Sequence, residues 1–373
     1  MKIRNLQIEN FKGIDQLDLS FVDTYTGKVR PYTAILGDNA SGKTSILQAI
    51  ALTISLASKK SFSPEHFESQ WNGFLADRIG TLGATKIQLE LELSDQELAS
   101  VQRLYPLWKQ FLPADRHTVP PSIDRRNITL RYENGQVTAL EGDAYKFALF
   151  GRYYIKALLK NRRVSRTEFD CVGDVFWFDQ FRNLGQGYSF IESEEDNTDD
   201  KQGNPMKSWK AGIGTLRKHL VAWWGRKQNH PQNTLNYLDR IEEKFVKVFP
   251  GVQFVGTEPM HEDPLDLTEY YFLLARDLGN NQKRIYDFSE MSSGEQNIFS
   301  LLYEFTRMHI SHSIVLIDEL ELHLHPPEQQ ALFSSLRHFG PDCQFIFTSH
   351  SPYLSENIPD ENAIRLKGGR LWL

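Results

Sequence analysis

Cysteine is nearly absent: the 373 residues contain two, Cys171 and Cys343. Two thiols without paired spacing argue against a disulfide framework or a cysteine-based zinc site. They fit a reducing compartment, so the expected location is the cytoplasm. Long apolar runs are absent too. None approaches the roughly 18 residues of a membrane-spanning helix, and the opening Met1-Lys2-Ile3-Arg4-Asn5-Leu6 carries no apolar signal core. No membrane partner is expected. Nor is there an excess of positive charge. Lys and Arg total 42 against 48 Asp and Glu, a net charge of −6. That leaves no global nucleic-acid footprint, although local patches could still hold DNA. No internal repeat is visible. Sustained apolar heptads are also missing, which argues against a long coiled-coil arm. The length allows two domains, or one large domain with an insertion.

What is present is organised around Gly37-Asp38-Asn39-Ala40-Ser41-Gly42-Lys43-Thr44. This fits G-x-x-x-x-G-K-[ST], a phosphate-binding loop. Residues 32–36 read as a buried strand entering the loop, and Ser45 opens the helix leaving it, expected over 41–58. Gly37 and Gly42 permit backbone angles that let amide N–H groups turn toward a phosphate. The helix N-terminus adds partial positive charge. Lys43 has the reach for β- and γ-phosphates, and Thr44 has a hydroxyl suited to Mg²⁺.

Around this loop the chain is unevenly legible. Leu17, Leu19 and Phe21 alternate with polar residues, as in a half-buried strand. The stretch 59–83 reads as polar. Residues 86–93 alternate strictly, so they form a strand with one wet face. A helix over 95–105 should end or kink at Pro106. Asn134-Gly135 between two apolar runs predicts a hairpin. Two basic segments follow. Arg152, Lys156, Lys160 and Arg163 share one helix face, extended by Arg162 and Arg166. Residues 207–227 carry Lys207, Lys210, Arg217, Lys218, Arg226 and Lys227 beside Trp223 and Trp224. Such segments could grip a nucleic acid, but they fit solvated helix faces with a core tryptophan pair better. The acidic run 191–200 reads as a loop.

Three further motifs stand near the C-terminus. Residues 313–317 form an apolar strand leading into Asp318 and Glu319, the pattern of a Walker B strand. There Asp318 would hold Mg²⁺ and Glu319 would orient and deprotonate water. Ser292-Ser293-Gly294-Glu295-Gln296 places hydroxyls and backbone amides at a helix start, which suits an anion and equally a simple N-cap. A strand over 344–349 runs into His350. His323 and His325 sit two apart, a spacing open to metal, with no partner ligands in sequence.

These motifs together resemble the ABC-type P-loop ATPases of the branch that holds chromosome-maintenance proteins, RecF-like repair proteins and OLD-type phage-defence ATPases. The opening Leu6-Gln7-Ile8-Glu9-Asn10-Phe11-Lys12-Gly13 and the Glu321-Leu322-His323-Leu324-His325-Pro326 element belong to that likeness. The resemblance implies an ABC-type α/β head with a mixed β/helical insertion. Its lobes would be 1–95 and 286–373, with 96–285, largely helical with a β-hairpin and a strand, inserted between them. It implies ATP and Mg²⁺ as ligands, with nucleotide contacts from Gly37, Asn39, Ala40, Ser41, Gly42, Lys43, Thr44, Ser45 and Lys12. A Q-loop glutamine at Gln180, with Gln70 as competitor, would sense the γ-phosphate. His350 would be the switch histidine. Ser293, Gly294 and Glu295 would reach ATP on a second subunit, so a homodimer or higher oligomer is expected. The short stretch 351–373 leaves no room for a Toprim nuclease domain. The resemblance therefore points to an antiphage-defence ATPase controlling a toxin or nuclease in trans, similar to the stand-alone ATPases of Septu- or PARIS-type systems. A RecF-like repair ATPase binding DNA is the alternative, and a transporter ATPase subunit comes third.

Overall fold

The computed structural model describes residues 1–366 except 59–62, 69–70, 72–73, 81–82, 113–118, 179–204, 230–236 and 281, with side chains in the helix at 205–229 described from residue 215 onward. In chain order the elements are β1 (Lys2–Phe11), β2 (Ile14–Ser20), β3 (Tyr32–Leu36), α1 (Lys43–Ser58), β4 (Lys86–Glu92), α2 (Asp95–Lys109), β5 (Asn127–Glu133) and β6 (Gln136–Ala139). Then come α3 (Gly151–Lys160), β7 (Val175–Phe178), α4 (Pro205–Asn229), α5 (Tyr237–Val248), β8 (Val252–Pro259), β9 (Tyr270–Asp277) and β10 (Lys283–Asp287). The C-terminal part holds α6 (Ser293–Arg307), β11 (Ile314–Ile317), α7 (Pro326–Phe339), β12 (Gln344–Ser349), α8 (Pro352–Asn357) and β13 (Ala363–Arg365).

These fall into two compact units. The first is Met1–Trp177, His309–Leu320 and Gly340–Leu373; the second is Phe178–Met308 and Glu321–Phe339. The units cut across the lobes drawn from sequence. Residues 96–177 belong to the first, and α6 and α7 to the second.

The first unit has two five-stranded sheets, in orders β2-β1-β4-β5-β6 and β13-β3-β12-β11-β7. The first sheet is antiparallel. Its strands alternate, with Ile87, Leu89 and Leu91 fully buried between half-exposed neighbours on β4, because one face is covered and the other is wet. The Asn134-Gly135 turn has positive φ at both residues, 52° and 78°, as a two-residue hairpin requires. In the second sheet β11, β12, β3 and β13 pair in parallel. There β11 and β12 are buried at every position, the mark of a sheet covered on both faces. Helix α1 packs against β1, β4, β5 and β6 of one sheet and β12 of the other. That position explains why Ile46, Leu47, Ala49, Ile50, Leu52 and Ile54, on all sides of α1, are buried.

The second unit contains a three-stranded antiparallel sheet, β10-β9-β8, with α4 and α5 against it. It holds a buried ion pair. Arg217 Nη1 and Nη2 donate to Asp287 Oδ1 and Oδ2 at 2.9 and 2.7 Å, and the Arg217 guanidinium lies 4.6 Å over Phe288.

Several expectations need correction. Residues 96–285 carry three strands beyond the expected hairpin and strand: β8, β9 and β10. The signal was weak: a register shift between Phe254 and Gly256 breaks the alternation of β8, and β9 carries an unbroken apolar run. Of the two outcomes expected at Pro106, an end or a kink, the end does not occur: α2 continues to Lys109. Pro106 and Gln102 both face solvent, so water can satisfy the Gln102 carbonyl that proline leaves unpaired. Meanwhile Leu104, Tyr105 and Trp108 bury against Tyr154, Ile155 and Phe169. The stretch 59–83 is not simply polar, since Phe67, Trp71, Phe74 and Ile79 are all buried. Nor are the basic segments purely solvated faces. Arg152 is 3% exposed, between Phe169 and Phe176 at 4.4 and 5.1 Å from the ring centroids, and Arg217 is consumed by Asp287. The acidic run 191–200, and the side chains of Lys207 and Lys210, lie outside the described residues.

Candidate nucleotide site

The site begins where β3 ends. A Cβ on Gly37 would stand 2.8 Å from Ser41 Oγ and 3.0 Å from the Leu366 carbonyl oxygen, so the loop needs glycine there. Ala40 and Gly42 take φ of 62° and 90°, which curls the backbone and turns its amides toward one centre. Helix α1 then starts at Lys43 with no acidic residue in its first turn, so its partial positive charge is not offset there. Lys43 Nζ donates to the carbonyls of Gly37 and Asp38 at 2.7 and 2.8 Å. The Ser41 hydroxyl is buried and has no hydrogen-bond partner among the described residues, a donor suited to a phosphate oxygen.

The parallel sheet brings the second half of the site to the same place. The phosphate loop follows β3, Asp318 and Glu319 follow β11, and His350 follows β12, which lies between them. All three thus stand at carboxyl ends of neighbouring parallel strands, where ligands of such sheets bind. Thr44 Oγ1 lies 2.9 and 3.1 Å from Asp318 Oδ2 and Oδ1. A cavity of about 410 Å³ is lined by Gly13, Asn39, Ala40, Ser41, Gly42, Lys43, Thr44, Ser45, Asp318 and Glu319. Sequence reasoning named nearly all of these; Gly37 sits behind Ser41 and shapes the loop from there.

Asp318 is 3% exposed. Its carboxylate accepts from Thr44 and from Thr348, whose hydroxyl lies 2.6 Å from Oδ1, and among the described residues it forms no ion pair. A buried carboxylate beside a hydroxyl, with no cation from the protein, is the donor set of a hard divalent ion. The residues present therefore fit Mg²⁺. Mg²⁺ takes only one or two protein carboxylates beside waters and phosphates. This agrees with the absence, among the described residues, of any group of three His, Cys, Asp or Glu able to hold a metal. His323 and His325 belong to no such group. Their loop instead ties α6 to α7: Asn297 donates to the Leu322 carbonyl and Gln329 to the Leu324 carbonyl, both at 2.9 Å.

The remaining candidates are less directly placed. Lys12 does not line the cavity; its neighbour Gly13 does. Lys12 Nζ donates to Gln48 Oε1 at 2.7 Å and lies 5.4 Å from the Phe74 ring centroid. Burial pushes its ammonium pKa below the ordinary value. His350 is exposed and is not among the cavity residues. Gln180 and Gln70 lie outside the described residues. In the second unit, Ser292 caps α6 and Glu295 closes a capping box with it. The Glu295 carboxylate also pairs with Arg276 and is 5% exposed. It is therefore committed to the fold, while Ser293 faces outward.

Three residues of the site region escaped the sequence reading: Gly13, Gln48 and Thr348. Only Thr348 left a signal. With Ser349 it forms the polar end of β12 after the apolar Phe345-Ile346-Phe347, two positions before His350.

Two family models match the chain. One, described as "AAA ATPase domain", covers residues 1–163. The other, described as "AAA domain, putative AbiEii toxin, Type IV TA system", covers residues 176–356. "Retron Vc95 probable ATPase" of Vibrio cholerae serotype O1 biovar El Tor is 23% identical over 97% of this chain and 72% of its own length. "DNA replication and repair protein RecF" of Bacillus cereus (strain G9842) is 27% identical, over 47% of this chain and 48% of that protein. The chain thus spans about half the length of this relative. Among solved structures, the Smc head bound to the C-winged helix domain of ScpA superposes with a TM-score of 0.50 at 15% identity, covering 96% of this chain and 92% of that one. That likeness is one of fold. Among the described residues no helix is long and apolar enough to cross a membrane.

Proposed function

This chain is an ABC-type P-loop ATPase of the RecF/SMC-like branch, and on that premise we propose that it hydrolyses Mg²⁺-ATP as a nucleotide-driven dimeric switch. The observation that carries the proposal is the single cavity shared by the phosphate loop, Asp318 and Glu319. Lys43 leaves the carbonyls of Gly37 and Asp38 and turns to the β- and γ-phosphates. The amides of residues 42–45 and the Ser41 hydroxyl receive the phosphate oxygens. Thr44 and Asp318 would hold Mg²⁺, which supplies charge neutralisation on the phosphates when bound. Glu319 takes the proton of the attacking water as that oxygen bonds to the γ-phosphorus and ADP departs with the electrons of the broken P–O bond. His350 donates a hydrogen bond to the γ-phosphate, and Lys12 adds positive charge at the edge of the site. Ser293 and the Gly294 backbone of the partner subunit close the site, so that hydrolysis reopens the dimer.

The switch serves antiphage defence through a toxin or nuclease effector in trans. Support comes from the retron relative, which matches over nearly the whole chain, and from the toxin–antitoxin description of the second family. Repair in the manner of RecF is the second reading, favoured by a likeness confined to about half of each chain. The test is a tagged purification of Glu319→Gln from the native host with ATP. The variant is expected to bind ATP, turn over slowly and accumulate as a dimer. A stoichiometric toxin or nuclease supports the defence reading; DNA with recombination proteins and no effector moves the function to repair. Lys43→Ala is expected to abolish turnover, and unchanged hydrolysis would remove the assignment of the site.

A further inference from the structure

Glu319 stands at a backbone position that side-chain residues seldom take. Its φ is +50°, in the left-handed region where Cβ crowds the following carbonyl. Such a conformation persists only where its surroundings hold it. Part of that hold comes from Thr348 on the neighbouring strand. Thr348 is completely buried. Its hydroxyl accepts the Glu319 amide at 2.8 Å and donates to Asp318 Oδ1 at 2.6 Å. Its carbonyl accepts the Leu320 amide at 3.0 Å. The single proton and the lone pairs of one hydroxyl are thus both engaged, by adjacent residues of the Asp318–Glu319 turn.

We propose that Thr348 is a positioning residue that locks the Asp318–Glu319 turn to the end of β12. The hydroxyl fixes Oδ1 of Asp318, and the carboxylate then faces Thr44, whose oxygen lies 2.9 Å from Oδ2 and 3.1 Å from Oδ1. The two backbone bonds keep Glu319 in the left-handed conformation, from which it lines the cavity. Because Thr348 lies near the end of β12, just before His350, a shift of that strand end moves the carboxylate and the turn together. Thr348 itself is not among the residues lining the cavity. Its effect on turnover rests on the role proposed above for Glu319; the lock does not.

The experiment separates the two. Thr348→Val keeps the shape and removes the hydroxyl, and Thr348→Ser restores it. Amide hydrogen exchange over residues 318–320 is read in nucleotide-free, Mg²⁺-free protein. The valine variant is expected to exchange at least about tenfold faster there, with the serine variant close to the parent. Turnover is expected to fall about tenfold to a hundredfold in the valine variant, with a higher Mg²⁺ concentration at half-maximal rate and rescue by serine. Nucleotide binding in EDTA, which uses the loop amides and Lys43, should stay within about twofold. Unchanged exchange in a folded valine variant overturns the lock. Faster exchange with unchanged turnover supports the lock and instead removes the role given to Glu319. Should the valine variant not fold, Thr348→Ala replaces it with the same readouts.

Discussion

Two aspartates are buried almost equally, Asp318 at 3% and Asp287 at 4% exposure, in opposite company. Asp287 has a guanidinium against both oxygens, the Phe272 amide at 2.8 Å and the Ser289 amide at 3.2 Å. It is an internal charge fully matched by its own chain. Among the described residues Asp318 meets hydroxyls, from Thr44 and Thr348, and no cation. A buried carboxylate is costly unless paired or bound to metal, so the one paired by arginine is explained by the fold and the one surrounded by hydroxyls is explained by a ligand. Burial alone does not distinguish structure from function; the identity of the counter-charge does.

Asparagine substitutions break this comparison most sharply. Asp318→Asn is expected to lower turnover by at least about a hundredfold, the loss of several kcal/mol of charge stabilisation. It should leave stability in Mg²⁺-free buffer unchanged or higher, since no protein cation loses its partner. Asp287→Asn should do the reverse to stability, costing about 3–5 kcal/mol by stranding Arg217. Thermal and denaturant melts of both variants, with and without Mg²⁺, check the pair. If Asp318→Asn melts like Asp287→Asn, the distinction drawn here is wrong.

Acid sharpens the same contrast. Burial alone would raise the Asp287 pKa. The Arg217 and Ser289 hydrogen bonds, the Arg217 charge and the Phe272 amide outweigh it and hold the carboxyl below its ordinary 3.8. A carboxyl lowered in the folded state stabilises fully above its unfolded value and loses that contribution as pH falls through the folded one. The parent should therefore lose stability below about pH 4, while Asp287→Asn, already less stable at neutrality, shows a flatter profile there. A smaller effect is expected at the helix that carries the signature. Ser292→Ala removes the cap of α6, whose hydroxyl accepts the Glu295 amide at 3.3 Å, and should cost roughly 0.5–2 kcal/mol in a chemical melt.

The uneven legibility of the chain follows from how local each constraint is. The phosphate loop was readable because glycine, lysine and threonine at fixed spacing answer a requirement met within eight residues. The strand into Asp318 and the strand into His350 were readable because strands buried on both faces become continuous apolar runs. Arg152 and Arg217 were misread as parts of solvated faces because spacing reports which residues share a helix face, not what that face meets. Phe169 and Phe176 lie within 24 residues of Arg152 and Asp287 lies 70 from Arg217.

By itself the sequence located the phosphate loop, the acidic pair and the parallel strands that present them, each written into a short local pattern. Only the tertiary structure decided which partners each buried carboxylate meets, Arg217 for Asp287 and hydroxyls for Asp318, and that Thr348 joins Asp318 to Glu319. Thr348 lies 29 and 30 residues from the groups it binds. Their meeting depends on β11 and β12 pairing in parallel, Ile317 beside Phe347. Sequence spacing carries no direct record of which strands become neighbours, and the hydrogen bonds that orient a site are made across that boundary.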